Sequence, residues 1–177
     1  MSRQELRLTG SGGQGVVLAT VILAEAGYLA KKAVAQSQSY GPEARGGMCK
    51  AEVVISDDVI HYTKVEHATF LLALTQEALN KYLPDITPDA VVMIDSSLDL
   101  PKTGLEGHQV YQVPILQTAI EKVGRAQTGN IVAVAAINAV LHLAPDDILE
   151  EAVKMHIPKG TEELNMKALA EGKKLIH

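Results

Sequence analysis

Leu6 and Leu8 alternate with Arg7 and Thr9, the period-two pattern of a short strand, and a long apolar run follows from Val16 to about Ala30. The run has helical length and is apolar on nearly every side, with Gly27 inside it. A helix of that kind has to be covered all round, by a sheet on one face and by another element or another subunit on the other. A polar loop, Gln36 to Gly47, comes next; it holds turn residues throughout and carries its charges as the close pair Glu43 and Arg45. Ala51 to Ile55 then alternates as a strand, Asp57-Asp58 makes a turn, and Val59 to Tyr62 returns, which predicts a β-hairpin.

Thr69 to Leu74 is a continuous apolar run, the pattern of a strand buried on both faces. Thr75 is placed to cap a helix over Gln76 to Leu83, with Glu77 in its first turn. Pro84 and Pro88 punctuate the exit, and Ala90 to Ile94 predicts another buried strand that ends at Asp95-Ser96-Ser97. A shorter strand, Gln109 to Val113, completes the set. The last third is helical: Ile115 to Val123, Asn130 to Leu143, Asp146 to Met155 and, after the break at Pro158-Lys-Gly160, Glu162 to Gly172 capped by Thr161. This order predicts one domain over 1–177, a three-layer α/β/α fold with a mixed, mostly parallel sheet and no internal repeat or linker. Ligands of such sheets gather beyond the carboxyl ends of the strands, so the Gly10 to Gly15 loop, Thr75 and Asp95 to Ser97 are expected along one edge.

The junction between the first strand and helix is Thr-Gly-Ser-Gly-Gly-Gln-Gly-Val-Val, residues 9 to 17. Gly10, Gly12, Gly13 and Gly15 permit positive φ angles and the close approach of a ligand or neighbouring backbone. The first N–H groups of the helix face outward there, a ready place for an anion. Gly10, Gly12 and Gly15 also satisfy G-x-G-x-x-G, but a dinucleotide site needs an acidic residue about twenty positions on to hold the ribose. Lys31 to Ser39 contains no carboxylate. The alternatives left are a Rossmann-like phosphate cradle and a tight turn for close helix–sheet packing, with NAD behind both.

Composition removes several function classes. The chain has 177 residues, 47% of them apolar, with a net charge of −5. That excludes a disordered chain and argues against nucleic acid as the main partner. Its single cysteine, Cys49, holds neither an iron–sulfur cluster nor a structural zinc by itself and suits a reducing cytoplasm. Neither long apolar run spans a bilayer, since Glu25 breaks one and Ile131 to Ala144 is too short, and no secretory signal opens the chain.

No self-sufficient catalytic constellation is present. The six histidines lack metal spacing, and His142, within an apolar helix, is expected in the core. Cys49 has Lys50 beside it but no base. Gly15 is followed by Val16-Val17 rather than by the lysine of a P-loop. Asp95 is placed either as a general base or as a cap for the next turn. Arg45 is a bidentate reader of carboxylate and phosphate, and its loop, shaped by Tyr-Gly-Pro and Gly-Gly, suits contact with a ligand or a partner chain.

Four segments together resemble one family: Gly-Ser-Gly-Gly-Gln-Gly-Val (10 to 16), Gln-Ser-Tyr-Gly-Pro-Glu-Ala-Arg-Gly-Gly (38 to 47), Ala-Glu-Val-Val-Ile-Ser (51 to 56) and Pro-Lys-Gly-Thr-Glu-Glu-Leu-Asn (158 to 165). They are similar to the gamma subunit of the 2-oxoacid:ferredoxin oxidoreductases, nearest its 2-oxoglutarate type, over essentially the full chain. The resemblance implies a chain inactive alone, within a complex that oxidatively decarboxylates a 2-oxoacid to its acyl-coenzyme A and reduces ferredoxin. It places thiamine diphosphate and iron–sulfur clusters on alpha, beta and, where present, ferredoxin-like delta subunits. Carried onto this sequence, it makes Gly10, Gly12, Gly13, Gln14 and Gly15, with Ser39, Tyr40, Glu43, Arg45, Gly46 and Gly47, candidates for contact with coenzyme A or with another subunit. The pyruvate, indolepyruvate and branched-chain enzymes share these motifs, and a stand-alone nucleotide- or flavin-binding module is the alternative of another class.

Overall fold

The computed structural model describes residues 3–38 and 47–176. Six strands form one sheet in the order β2-β3-β1-β4-β5-β6: β1 Arg3–Ser11, β2 Ala33–Gln38, β3 Met48–Ser56, β4 Ala68–Ala73, β5 Ile86–Asp95 and β6 Gln109–Val113. β1, β4, β5 and β6 run parallel, while β3 pairs antiparallel with both β1 and β2, so the sheet is mixed and mostly parallel as expected. The carboxyl ends of β1, β2, β4, β5 and β6 therefore share an edge with the start of β3.

The helices are α1 Val16–Leu29, α2 Gln76–Tyr82, α3 Ile115–Thr118, α4 Gly129–Leu141, α5 Asp146–His156 and α6 Glu162–Lys173. One face of the sheet packs Leu6, Leu8, Val53, Phe70, Leu72 and Met93 against α1 and α3 to α6. The other sets Leu71, Ala73, Val92 and Ile94 against Ala78, Leu79 and Tyr82 of α2. That accounts for the uninterrupted apolar run of β4, which has a core on each side. The all-round apolar α1 is covered by β3 and β2 on one side and by α5 and α4 on the other. Gly27 allows the close approach, since a Cβ there would lie 3.0 Å from Val34 Cγ1 and 3.2 Å from Ile55 Cγ2.

The structure corrects four expectations. The hairpin is absent: residues 59–62 form no strand, and Val59 is 73% exposed. A strand has only two hydrogen-bonding edges, and those of β3 are taken by β1 and β2. The loop expected from Gln36 does not start there, because Ala33–Gln38 is strand β2, and residues 39–46 of that expectation lie outside the described residues. His142 is not a core residue; it ends α4 in the left-handed conformation, φ 51°, at the edge of the helix rather than inside it. Thr161 does not cap α6 with its side chain, and its hydroxyl donates instead to the Pro158 carbonyl at 2.6 Å. Thr75, by contrast, accepts from the Ala78 N–H at 3.3 Å and caps α2 as its sequence position predicts.

Candidate functional site

The turn from β1 into α1 is built by hydrogen bonds that its glycines make room for. Gln14 folds back so that its Oε1 accepts from the Ser11 N–H at 2.7 Å, and the Gln14 N–H donates to the Ser11 carbonyl at 3.2 Å. A Cβ on Gly10 would lie 2.3 Å from that Oε1. Gly13 and Gly15 adopt φ of 92° and 75°, where L side chains are strained. Behind Gly15 stands Asn130 of α4, whose Nδ2 would lie 2.6 Å from a Cβ there. Helix α1 begins at this Gly15 with no side-chain cap on its N terminus.

The two candidate loops meet at one bond. The Gly12 N–H donates to the Gly47 carbonyl at 2.9 Å, joining the glycine turn to the residue just before β3. Gln38, at the end of β2, lies on the same edge. The segment between them carries Ser39, Tyr40, Glu43, Arg45 and Gly46, which lie outside the described residues. Both of its described flanks reach the edge that holds Gly10, Gly12, Gly13, Gln14 and Gly15.

Asp95 is on this edge too, as a structural anchor. It is 1% exposed, and its Oδ1 accepts from the Ser97 N–H at 3.0 Å and the Ser97 hydroxyl at 2.6 Å. Its Oδ2 accepts from the Leu116 N–H at 2.9 Å. With both oxygens committed, Asp95 ties the end of β5 to the start of α3 and the capping alternative holds. After Thr118 the helix widens into a π turn over Ala119–Val123, where the Gly124 N–H reaches the Ala119 carbonyl at 3.0 Å. Such widenings recur at functional sites. Ile120 is left 58% exposed and, with Leu116, Ala126, Gln127, Gly129, Gly13 and Gln14, lines a cleft of about 300 Å³ beside the glycine turn. None of these cleft residues outside the turn was singled out from sequence; Asn130 had a signal, a lone amide at the head of an apolar helix.

Among the described residues, no group of three or more His, Cys, Asp or Glu side chains could hold a metal ion. No helix among them is long and apolar enough to cross a membrane.

A family model described as pyruvate ferredoxin/flavodoxin oxidoreductase matches residues 5–175. The chain belongs to that family. Within the pyruvate ferredoxin/flavodoxin oxidoreductases it is 40% identical over 175 residues to the 2-oxoglutarate synthase subunit KorC of Methanocaldococcus jannaschii, covering 96% of this chain and 92% of that one. It matches the crystal structure of the keto/oxoacid ferredoxin oxidoreductase gamma subunit from Geobacter sulfurreducens with a TM-score of 0.84 and 42% identity, over 97% and 96% of the two chains. The fold also recurs within 31% of a chain of the 2-oxoglutarate:ferredoxin oxidoreductase of Magnetococcus marinus, with a TM-score of 0.88 and 20% identity over 99% of this chain. In length and fold this member of the family corresponds to the gamma-subunit form of the 2-oxoacid:ferredoxin oxidoreductases.

Proposed function

We propose that this chain is the gamma subunit of a cytoplasmic 2-oxoglutarate:ferredoxin oxidoreductase and has no turnover alone. The observation that carries the reading is its end-to-end, 40% identity to a 2-oxoglutarate synthase subunit. In this reading residues 1–177 form a single gamma domain, and alpha, beta and delta-type subunits hold the thiamine diphosphate and iron–sulfur clusters. Those groups supply decarboxylation and electron transfer to ferredoxin; this chain supplies a docking edge.

The same reading assigns the glycine turn and the 39–47 loop to contact with coenzyme A or a companion subunit. The residues fit a diphosphate-bearing ligand. Gly13 is exposed with no atom within 4 Å of where a Cβ would sit, and the N terminus of α1 carries no side-chain cap. The neighbouring cleft offers Leu116 and Ile120 as an apolar wall. Backbone N–H groups at such a helix end favour negative charge.

The test is recovery of the complex from native extract with this chain as bait, assayed for 2-oxoglutarate- and coenzyme A-dependent reduction of a viologen dye. Co-purification of thiamine- and cluster-bearing subunits with that activity is expected, and a panel of 2-oxoacids names the substrate. Recovery of the bait alone would sink the subunit reading.

A further inference from the structure

One flank of α1 stays open where the helix lies beside the edge of the sheet. Gly27 lies against Val34 of β2 and Ile55 of β3, and the Thr20 hydroxyl accepts from Gln36 Nε2 of β2 at 3.1 Å, so these residues mark the side that faces the sheet. Glu25 marks the side toward α5, 3.2 Å from His156 Nε2, and Gly15 stands against Asn130 of α4. At about 100° per residue, Val17, Val21, Ala24 and Tyr28 share the remaining flank, opposite α4 and beside β2. None of the four is charged, and Tyr28 is 65% exposed. Val17, Val21 and Tyr28 join none of the hydrophobic clusters among the described residues. Their spacing of four, three and four residues is that of a helix-packing seam.

The strand beneath is open as well. β2 is the outermost strand on its side of the sheet, with β3 along one edge and, among the described residues, no strand along the other. It pairs with β3 over six consecutive residues without a bulge, and Ala-Val-Ala-Gln-Ser-Gln contains no proline and no charge. Edge strands ordinarily carry one of these guards, because a bare edge pairs with another chain. Val34 and Gln36 point toward α1, so the open strand edge and the apolar helix flank lie side by side.

We propose that this face is the interface between two copies of the chain, joined about a two-fold axis by antiparallel pairing of β2 with β2 and packing of α1 on α1. An occupant has to present a free strand edge and, one layer above it, an uncharged apolar helix flank. A second copy carries both at the required spacing, because a two-fold axis sets the surface against itself. The charges fit that arrangement. Lys31 and Lys32 precede β2, and antiparallel pairing sets them near the uncharged Gln38 end of the second strand rather than opposite their own copies, where like charges repel. The two α1 dipoles also run in opposite directions, a favourable pairing of unlike ends. Two six-stranded sheets become one, and the glycine turns point to opposite ends of it. The interface therefore leaves the proposed docking edge open and does not rest on the gamma-subunit reading.

The experiment is sedimentation equilibrium of the full chain over a range of concentrations, with hydrogen exchange of the β2 amides read at both ends of the range. A dimer is expected, and the β2 amides exchange more slowly where it forms. Tyr28→Glu, at an exposed position that the fold of one copy does not need, puts a carboxylate into the apolar seam and weakens dimerisation at least about tenfold. Ile120→Glu, at the 58% exposed Ile120 away from this face, leaves it unchanged. In the complex recovered from native extract, a photo-cross-linker placed at Tyr28 joins two copies of this chain. A monomer throughout, a dimer that Tyr28→Glu leaves intact or Ile120→Glu weakens equally, β2 exchange independent of concentration, or a cross-link from Tyr28 to a companion subunit overturns the inference.

Discussion

The Gly12 N–H and the Gly47 carbonyl, 2.9 Å apart, join two loops that are far apart in sequence. The bond sets Gly47, at the start of the chain leading into β3, against the turn that opens α1. Gly12→Pro removes the donor while leaving the acceptor in place. Its expected cost is about 1 kcal/mol of stability, together with weaker coenzyme A use or assembly in the reconstituted complex. Chemical denaturation and the KM for coenzyme A check the two parts; a variant complex matching wild type in both would uncouple the loops.

Gly13 and Gly15 differ in a way that substitution separates. Both have positive φ, but only Gly15 faces a neighbour, since a methyl group added there would lie 2.6 Å from Asn130 Nδ2. Gly13→Ala is expected to cost about 1 kcal/mol of backbone strain. Gly15→Ala adds overpacking of about 1–3 kcal/mol. Paired thermal melts read the difference, and equal losses would show that Asn130 moves aside freely.

Arg7, 3% exposed, is held by Glu52 Oε1 at 2.7 Å and donates to the Val65 and Asp85 carbonyls at 3.0 and 3.1 Å. Its guanidinium also lies 5.5 Å from the Tyr82 ring centroid. Arg7→Met strips the buried Glu52 of its closest cation and leaves it Lys50 at 3.2 Å. The expected loss is about 3 kcal/mol, seen as a lower urea midpoint. Arg7→Lys recovers only part, because a point charge cannot make the same fork of bonds.

Arg45→Ala is expected to leave the melting temperature unchanged and to weaken coenzyme A use or assembly of the complex. Steady-state kinetics and size-exclusion chromatography of the reconstituted variant read these separately. Wild-type behaviour in both would remove Arg45 from the docking edge.

Much of the architecture was legible in local pattern. The alternation at Leu6 and Leu8, the apolar run of β4, the Thr75 cap and the α1 stretch each match their elements. These features depend on near neighbours in sequence, where period and capping chemistry act directly. β2 was not legible, because Ala-Val-Ala-Gln-Ser-Gln is a weak strand former; six consecutive pairs with β3 make it one. Val59 to Tyr62 has a strand-like composition, yet β1 and β2 had already filled both edges of β3.

By itself the sequence determined most of the elements, the glycine turn and the family, since each is written in contiguous residues, but not β2 or the absence of a strand at Val59 to Tyr62. Tertiary structure alone decided which chain segments meet: Gly47 against Gly12, Asn130 behind Gly15, and Asp95 spent on anchoring α3. The reason is physical. Backbone conformation follows local sterics and hydrogen bonding, whereas a site depends on the packing of residues far apart in the chain, which no local periodicity encodes.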